Sequence, residues 1–151
     1  MCSPAMMGTM PSRKSAPSKK VLVIEDDADV SEVLALLLRK FGVQVVIAAD
    51  GITGVELTRK ERPDLVLVDL QLPGMNGLEV IRSIRSIPGC ASLPLIVITG
   101  NSTVEYIRET ARLGADDFLV KANVLAGTGL ERIKKWLAPA RQDRTKTRSR
   151  K

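Results

Sequence analysis

The chain has 151 residues, 44% apolar but only 3% aromatic, and a formal net charge of +6. That length suits one domain with a full, mainly aliphatic core, and no apolar run approaches the length of a membrane span. The absence of histidine excludes Ser-His-Asp and Cys-His catalysis, His-ligated zinc and a phosphohistidine role for this chain.

The first stretch, 1–19, is expected to be a disordered basic tail. Residues 1–20 carry Arg13, Lys14, Lys19 and Lys20 with no acid, and they have no apolar segment of the kind a secretory signal needs. Cys2 lies there and Cys90 in a Pro88-Gly89-Cys90 loop. Neither has metal-site or disulfide-framework spacing, so a reducing, cytoplasmic setting is expected. At the other end, 139–151 holds six basic residues against Asp143 and is expected to be a second disordered tail. The body, 20–138, is then mildly acidic.

Within the body, strand and helix signals alternate with short turns, the mark of an α/β domain. Val21-Leu22-Val23-Ile24 reads as a buried strand ending in Glu25-Asp26. A helix opens at Ala28 or Asp29, keeps Val30, Val33, Leu34, Leu37, Leu38 and Phe41 at helical spacing, and stops at Gly42. Gln44 to Ala48 predicts the second strand and Ile52 to Lys60 the second helix, with Pro63 closing the turn. The third strand, Leu65-Val66-Leu67-Val68, ends in Asp69. A Pro/Gly loop from Gln71 to Gly77 follows, then a helix with Leu78, Ile81 and Ile84 on one face. Leu95 to Ile98 ends in Thr99. Ser102 with Glu105 makes a capping-box pattern for a fourth helix ending near Gly114. Asp117 to Val120 is the last strand and ends in Lys121. The final helix starts poorly at Gly127 and Gly129 and carries Leu130, Ile133, Trp136 and Leu137 on its apolar face. Five such units leave no room for an output domain, so a stand-alone domain is expected.

All-apolar runs of this kind are parallel strands buried on both faces, and open α/β sheets bind ligands at the carboxyl ends of their strands. Glu25, Asp26, Asp69, Thr99 and Lys121 would therefore meet on one rim. Carboxylates from two neighbouring strands suit Mg²⁺, which takes oxygen ligands and keeps several waters. Without a cation the same acids would repel one another. Taken alone, Glu25-Asp26-Asp27-Ala28-Asp29 reads equally as an acidic cap on the first helix. Asp69, whose strand runs into a loop that needs no such cluster, favours the site. Lys121 alone would pass for a surface residue, but opposite Asp69 it would neutralise a phosphoryl oxygen. Thr99 is either a strand-end β-branched residue or a hydroxyl donor to that group. Phe118 reads first as core.

Four blocks carry a family likeness: Val21 to Asp27, Val66 to Gly77 (with Asp-Leu-Gln-Leu-Pro-Gly-Met-Asn-Gly from Asp69), Leu95 to Gly100, and Phe118-Leu119-Val120-Lys121. In that order and spacing they resemble the receiver domain of two-component response regulators, over Lys20 to about Leu137. The resemblance implies a flavodoxin-like, doubly wound (βα)5 fold with parallel strand order 2-1-3-4-5. It implies that Asp69 accepts a phosphoryl group from a histidine kinase or histidine phosphotransfer protein. Asp26, Asp69 and the Gln71 backbone carbonyl would bind Mg²⁺ directly, and Glu25 through water. Thr99 and Lys121 would bind the phosphoryl oxygens, and Phe118 would turn inward as the switch. Phosphorylation and dephosphorylation would be self-catalysed, with no external substrate, and the face of helix four, strand five and helix five would then engage an output protein.

Two positions depart from the family pattern. Ala122 follows Lys121 where many receivers have a proline joined by a cis bond, which before alanine costs about 3 kcal/mol. Gln71 and Asn101 stand two residues beyond Asp69 and Thr99, where the family sets phosphoryl lifetime. A second reading gives the basic C-terminal tail a role in binding nucleic acid or another anionic surface.

Overall fold

The computed structural model describes residues 18–100 and 104–138. Residues 1–17 of the expected N-terminal tail and the whole of the C-terminal one, together with Asn101 and Ser102, lie outside the described residues. The carbonyl of Lys19, a residue expected in the tail, accepts from the Gln44 N–H at 2.8 Å and so extends the sheet edge. Five strands form one sheet: β1 (Lys20–Ile24), β2 (Gln44–Ala48), β3 (Leu65–Asp69), β4 (Leu95–Thr99) and β5 (Asp117–Val120). Every pairing is parallel and the order is β2-β1-β3-β4-β5, which is the expected 2-1-3-4-5 arrangement. The helices are α1 (Ala28–Arg39), α2 (Gly51–Glu61), α3 (Gly77–Arg85), α4 (Val104–Leu113), α5 (Lys121–Leu125) and α6 (Leu130–Leu137).

Alternation along the strands sorts the core into two halves. Leu22, Ile24, Val66, Val68 and Val97 face α3 through Val80, Ile81 and Ile84, with Val55 of α2 and Tyr106 of α4 beside them. Val21, Val23, Leu65, Leu67 and Ile96 face the other way, onto Leu34 and Leu38 of α1, Val124 of α5 and Ile133 of α6. The three central strands are thus apolar at every position except their ends, Lys20, Asp69 and Thr99, because each is covered on both faces.

One expectation changes. The last helix is two pieces: a short α5 that begins on Lys121 itself, then a break before α6. Gly127 sits at φ +93, the Thr128 hydroxyl and N–H both bond the Asn123 carbonyl, and Gly129 precedes α6 with no side-chain cap. A left-handed residue cannot continue a right-handed helix, and glycine adopts that conformation at little cost. The two glycines therefore do more than lower propensity; they divide the helix.

All strands point the same way, so their C-terminal ends share an edge. There α1, α2 and α3 start, capped by the side chains of Asp27, Asp50 and Asn76. The β3–α3 loop is held close to the sheet, with the Gly77 N–H donating to the Leu70 carbonyl at 2.9 Å. A Cβ on Gly77 would lie 2.5 Å from Leu70 Cα and 2.7 Å from the Asp69 carbonyl oxygen. Only glycine allows that approach.

Candidate phosphoacceptor site

Asp69 is the last residue of β3 and 4% exposed; Glu25 follows β1 and is 3% exposed. β1 and β3 are direct neighbours, with Ile24 opposite Val68. Asp26 is exposed on the rim. Carboxylate oxygens of Glu25, Asp26 and Asp69 all lie within 4.8 Å of one another. Lys121 reaches into this cluster, its Nζ 3.0 Å from Asp69 Oδ2 and 3.1 Å from Glu25 Oε1. Thr99, at the end of β4, is fully buried on the strand between those that lead to Asp69 and Lys121.

The local backbone orients these groups. The Gln71 N–H donates to Asp69 Oδ1 at 3.1 Å, and the Asp27 N–H donates to Glu25 Oε2 at 3.1 Å. Asp27 in turn accepts from the N–H groups of Asp29 and Val30. The acidic run after β1 therefore divides its labour. Asp27 caps α1, as the capping reading of that run has it, whereas Glu25 and Asp26 lie with Asp69 in the carboxylate cluster.

The electrostatics follow from burial. Loss of water raises the Glu25 carboxyl above its ordinary pKa, and the Asp69 charge adds to this. The Asp27 N–H and Lys121 oppose it without cancelling it. For Lys121, burial acts to lower the ammonium pKa, but the hydrogen bonds and charges of Asp69 and Glu25 prevail and raise it. The lysine is thus held charged beside carboxylates that outnumber it.

Phe118 is half-buried and stands apart from this cluster. It lines a groove of ≈ 340 Å³ with Ile107, Ala111 and Arg132, between α4, β5 and α6. Sequence reasoning gave no role to the neighbouring Asp117, which accepts from Arg132 and from Trp136 Nε1 and so ties α6 to β5. Arg85 was missed as well. It donates to the carbonyls of Gly114, Cys90 and Leu93 and to Asp116, joining α3 to the loops that lead into β4 and β5. Neither role shows in a hydrophobic pattern. An Arg fifteen residues after an Asp at the start of the final strand is the nearest signal for the first.

The model of the response regulator receiver domain matches residues 21–126. The chain belongs to that family. MtrA of Mycolicibacterium paratuberculosis, a DNA-binding response regulator, is 37% identical over 103 residues, covering 68% of this chain and 44% of its own length. The receiver thus spans under half the length of the curated relatives it matches. The receiver domain of the Pseudomonas aeruginosa sensor histidine kinase PA1611, described with magnesium in its active site cleft, is 30% identical. It superposes with a TM-score of 0.71 over 80% of this chain and 98% of its own. The chemotaxis protein CheY4 of Vibrio cholerae, at 26% identity, gives 0.74 over 79% of this chain and 98% of its own. Family and fold therefore agree with the resemblance carried by the four sequence blocks. Among the described residues, no helix is long and apolar enough to cross a membrane.

Proposed function

We propose that this receiver is a phosphoacceptor switch of a two-component or phosphorelay system, acting in the cytoplasm, in which Asp69 takes a phosphoryl group from a histidine of a kinase or phosphotransfer protein. The observation that carries this reading is the meeting of Glu25, Asp26 and Asp69 within 4.8 Å, with Lys121 bonded to two of them.

The residues fit a divalent cation such as Mg²⁺. Their donors are all carboxylate oxygens, they come from two adjacent strands, and one lysine leaves their charge incompletely balanced. Asp26, Asp69 and the Gln71 carbonyl would hold it, with Glu25 acting through water. When bound, the cation supplies charge neutralisation for the transferring phosphoryl group. An Asp69 carboxylate oxygen forms the new O–P bond as the N–P bond of the donor histidine breaks, and the imidazole takes up a proton. Lys121 offsets the developing phosphoryl charge, and the Thr99 hydroxyl donates to a phosphoryl oxygen. Transfer of this type depends on positioning and charge more than on covalent chemistry by the protein. The mixed anhydride at Asp69 is open to water, so the same site sets its own lifetime.

The output would be a contact made by the face of α4, β5 and α6. Thr99 drawn towards the phosphoryl group and Phe118 moving into the vacated space would couple site to face, to the extent that phosphorylation favours one arrangement over the other. Intact-mass analysis after incubation with acetyl phosphate and Mg²⁺ tests the reading. A single phosphoryl adduct is expected, absent in Asp69→Ala and absent without the metal. An adduct that persists in Asp69→Ala would place the chemistry elsewhere.

A further inference from the structure

The two edges of the sheet carry opposite charge. The strand C-terminal edge gathers the acidic site and the acidic caps Asp27 and Asp50. At the other edge, the five helices α1, α2, α3, α4 and α6 all end with arginine or lysine in the last turn. Lys40 and Arg62 follow as C-caps of α1 and α2. Acids near this edge are already engaged: Glu61 with Lys20, Glu109 with Arg112, Asp116 with Arg85, Asp117 with Arg132, and Asp64 with the Lys20 N–H. By contrast Arg39, Lys40, Arg59, Lys60 and Arg62 are exposed and form no ion pair among the described residues.

A cation in a last turn complements the helix dipole, but that account stops at the helix end and does not cover Arg62. Arg62 has φ +51, the one described non-glycine residue with positive φ. That C-cap conformation ordinarily falls to glycine, and an L side chain there costs on the order of 1 kcal/mol. The chain keeps an arginine where the backbone asks for none. Both ends of the described body also lie at this edge, since β1 begins there at Lys20 and α6 ends there at Leu137. In sequence, Arg13 and Lys14 precede the first of these ends and six basic residues from Arg141 follow the second.

We infer that this edge, led by Arg39, Lys40, Arg59, Lys60 and Arg62, binds the phosphate backbone of double-stranded nucleic acid, with the acidic phosphoacceptor edge turned away. Nucleic acid is favoured over a lipid surface because stable membrane association adds buried apolar side chains to the attraction between cations and anionic lipid. Of the exposed large apolar residues, only Leu36 is near this edge; Val33 and Ile107 are mid-helix, and Ile47 and Ile52 are at the far end. The contact is sequence-independent, since no side chain here is placed to read base edges. It leaves the Asp69 edge free for a phosphodonor.

Fluorescence anisotropy of a labelled random-sequence duplex, with the full chain and a KCl series, tests this. The full chain is expected to bind with log Kd rising steeply in log salt, a slope of about 4 or more. A combined variant with Arg39→Gln, Lys40→Gln, Arg59→Gln, Lys60→Gln and Arg62→Gly is expected to bind at least about tenfold more weakly at 0.1 M salt, with a slope shallower by about 3. Arg62→Gly alone relieves backbone strain, so it should melt no lower than the parent yet lose affinity several-fold. Unchanged duplex affinity in the combined variant would overturn the inference and leave any binding to the tails. So would binding to phosphatidylserine vesicles without binding to duplex.

Discussion

Replacing Lys121 by methionine keeps the length of the side-chain stem up to Cε and removes the ammonium, with its charge and its hydrogen bond to Asp69. In the parent the ammonium lies 3.0 Å from Asp69 and 3.1 Å from Glu25, two carboxylates that are 4% and 3% exposed. At an effective dielectric constant near 20, each such contact is worth about 5 kcal/mol in gross Coulomb terms. Desolvation of the ammonium offsets much of that. Breaking a fully buried pair costs about 3–5 kcal/mol, but Lys121 is itself 22% exposed, and the carboxylates keep the Asp27 and Gln71 N–H groups. A loss of about 2 kcal/mol at neutral pH is therefore expected. The loss must also depend on pH in a defined direction. Glu25 already has a raised pKa in the folded state, and removing Lys121 removes one of the groups that hold it down. A carboxyl raised on folding lends stability at low pH that is lost as pH rises through the folded pKa. The deficit of Lys121→Met should thus be greatest at neutral pH and shrink towards the ordinary glutamate pKa. Urea denaturation of both proteins across that range, in chelator-treated buffer with unchanged m-values, measures it. A deficit that is absent at neutral pH, or constant with pH, would refute the electrostatic account of the cluster.

Three further outcomes follow from the same geometry. Glu25→Gln should be modestly more stable than the parent at neutral pH and no more stable at low pH, where the parent's Glu25 is protonated; urea midpoints at the two pH values check this. Addition of Mg²⁺ should raise the melting temperature of the parent, the shift growing with the logarithm of its concentration above the dissociation constant, and Asp26→Asn should lose most of that shift in a thermal titration. Gly77→Ala should cost about 1–3 kcal/mol by chemical denaturation, because its Cβ meets backbone atoms of Leu70 and Asp69 rather than a movable side chain. That variant should also weaken the Mg²⁺ shift, since the displaced backbone carries Asp69.

The strands and the rim were legible because burial on both faces leaves its trace in consecutive residues. Val21 to Ile24, Leu65 to Val68 and Leu95 to Ile98 are uninterrupted apolar runs, and the first polar residue after each marks the sheet edge. What the sequence left open involves single residues whose role depends on a third dimension. Glu25, Asp26 and Asp27 look alike in a row. Only the turn out of β1 sends Glu25 inward, leaves Asp26 on the rim and puts Asp27 over the first N–H groups of α1. Arg85 reads as one more cation on the polar side of α3, yet it closes three carbonyls from two loops. Glycine in the last helix signalled low propensity, but the left-handed backbone at Gly127 is a matter of tertiary fit.

Ala122 stands directly after Lys121, where many receivers have a proline. A proline after the lysine would restrict the backbone that aims the ammonium, so its replacement put the reach of Lys121 in question. In this chain a different restraint does that work. Val120 is the last residue of β5, paired with Thr99 of β4, and also the N-cap of α5. Lys121 is therefore the first residue of a helix that starts with no intervening loop, and among the described residues there is no cis peptide bond. Its backbone is fixed on one side by the strand and on the other by a helical turn that buries Val124 against the core. The break at Gly127 then lets α6 take its own course, with Asp117 holding Arg132 and Trp136. The position of the ammonium and the packing of the last helix are thus uncoupled. If that is the reason the chain tolerates Ala122, introducing Ala122→Pro should leave Asp69 phosphorylation by acetyl phosphate nearly unchanged, whereas Val124→Ala, which loosens the anchor of α5, should slow it. The reverse order of effects would show that Lys121 depends on the residue after it and not on the short helix.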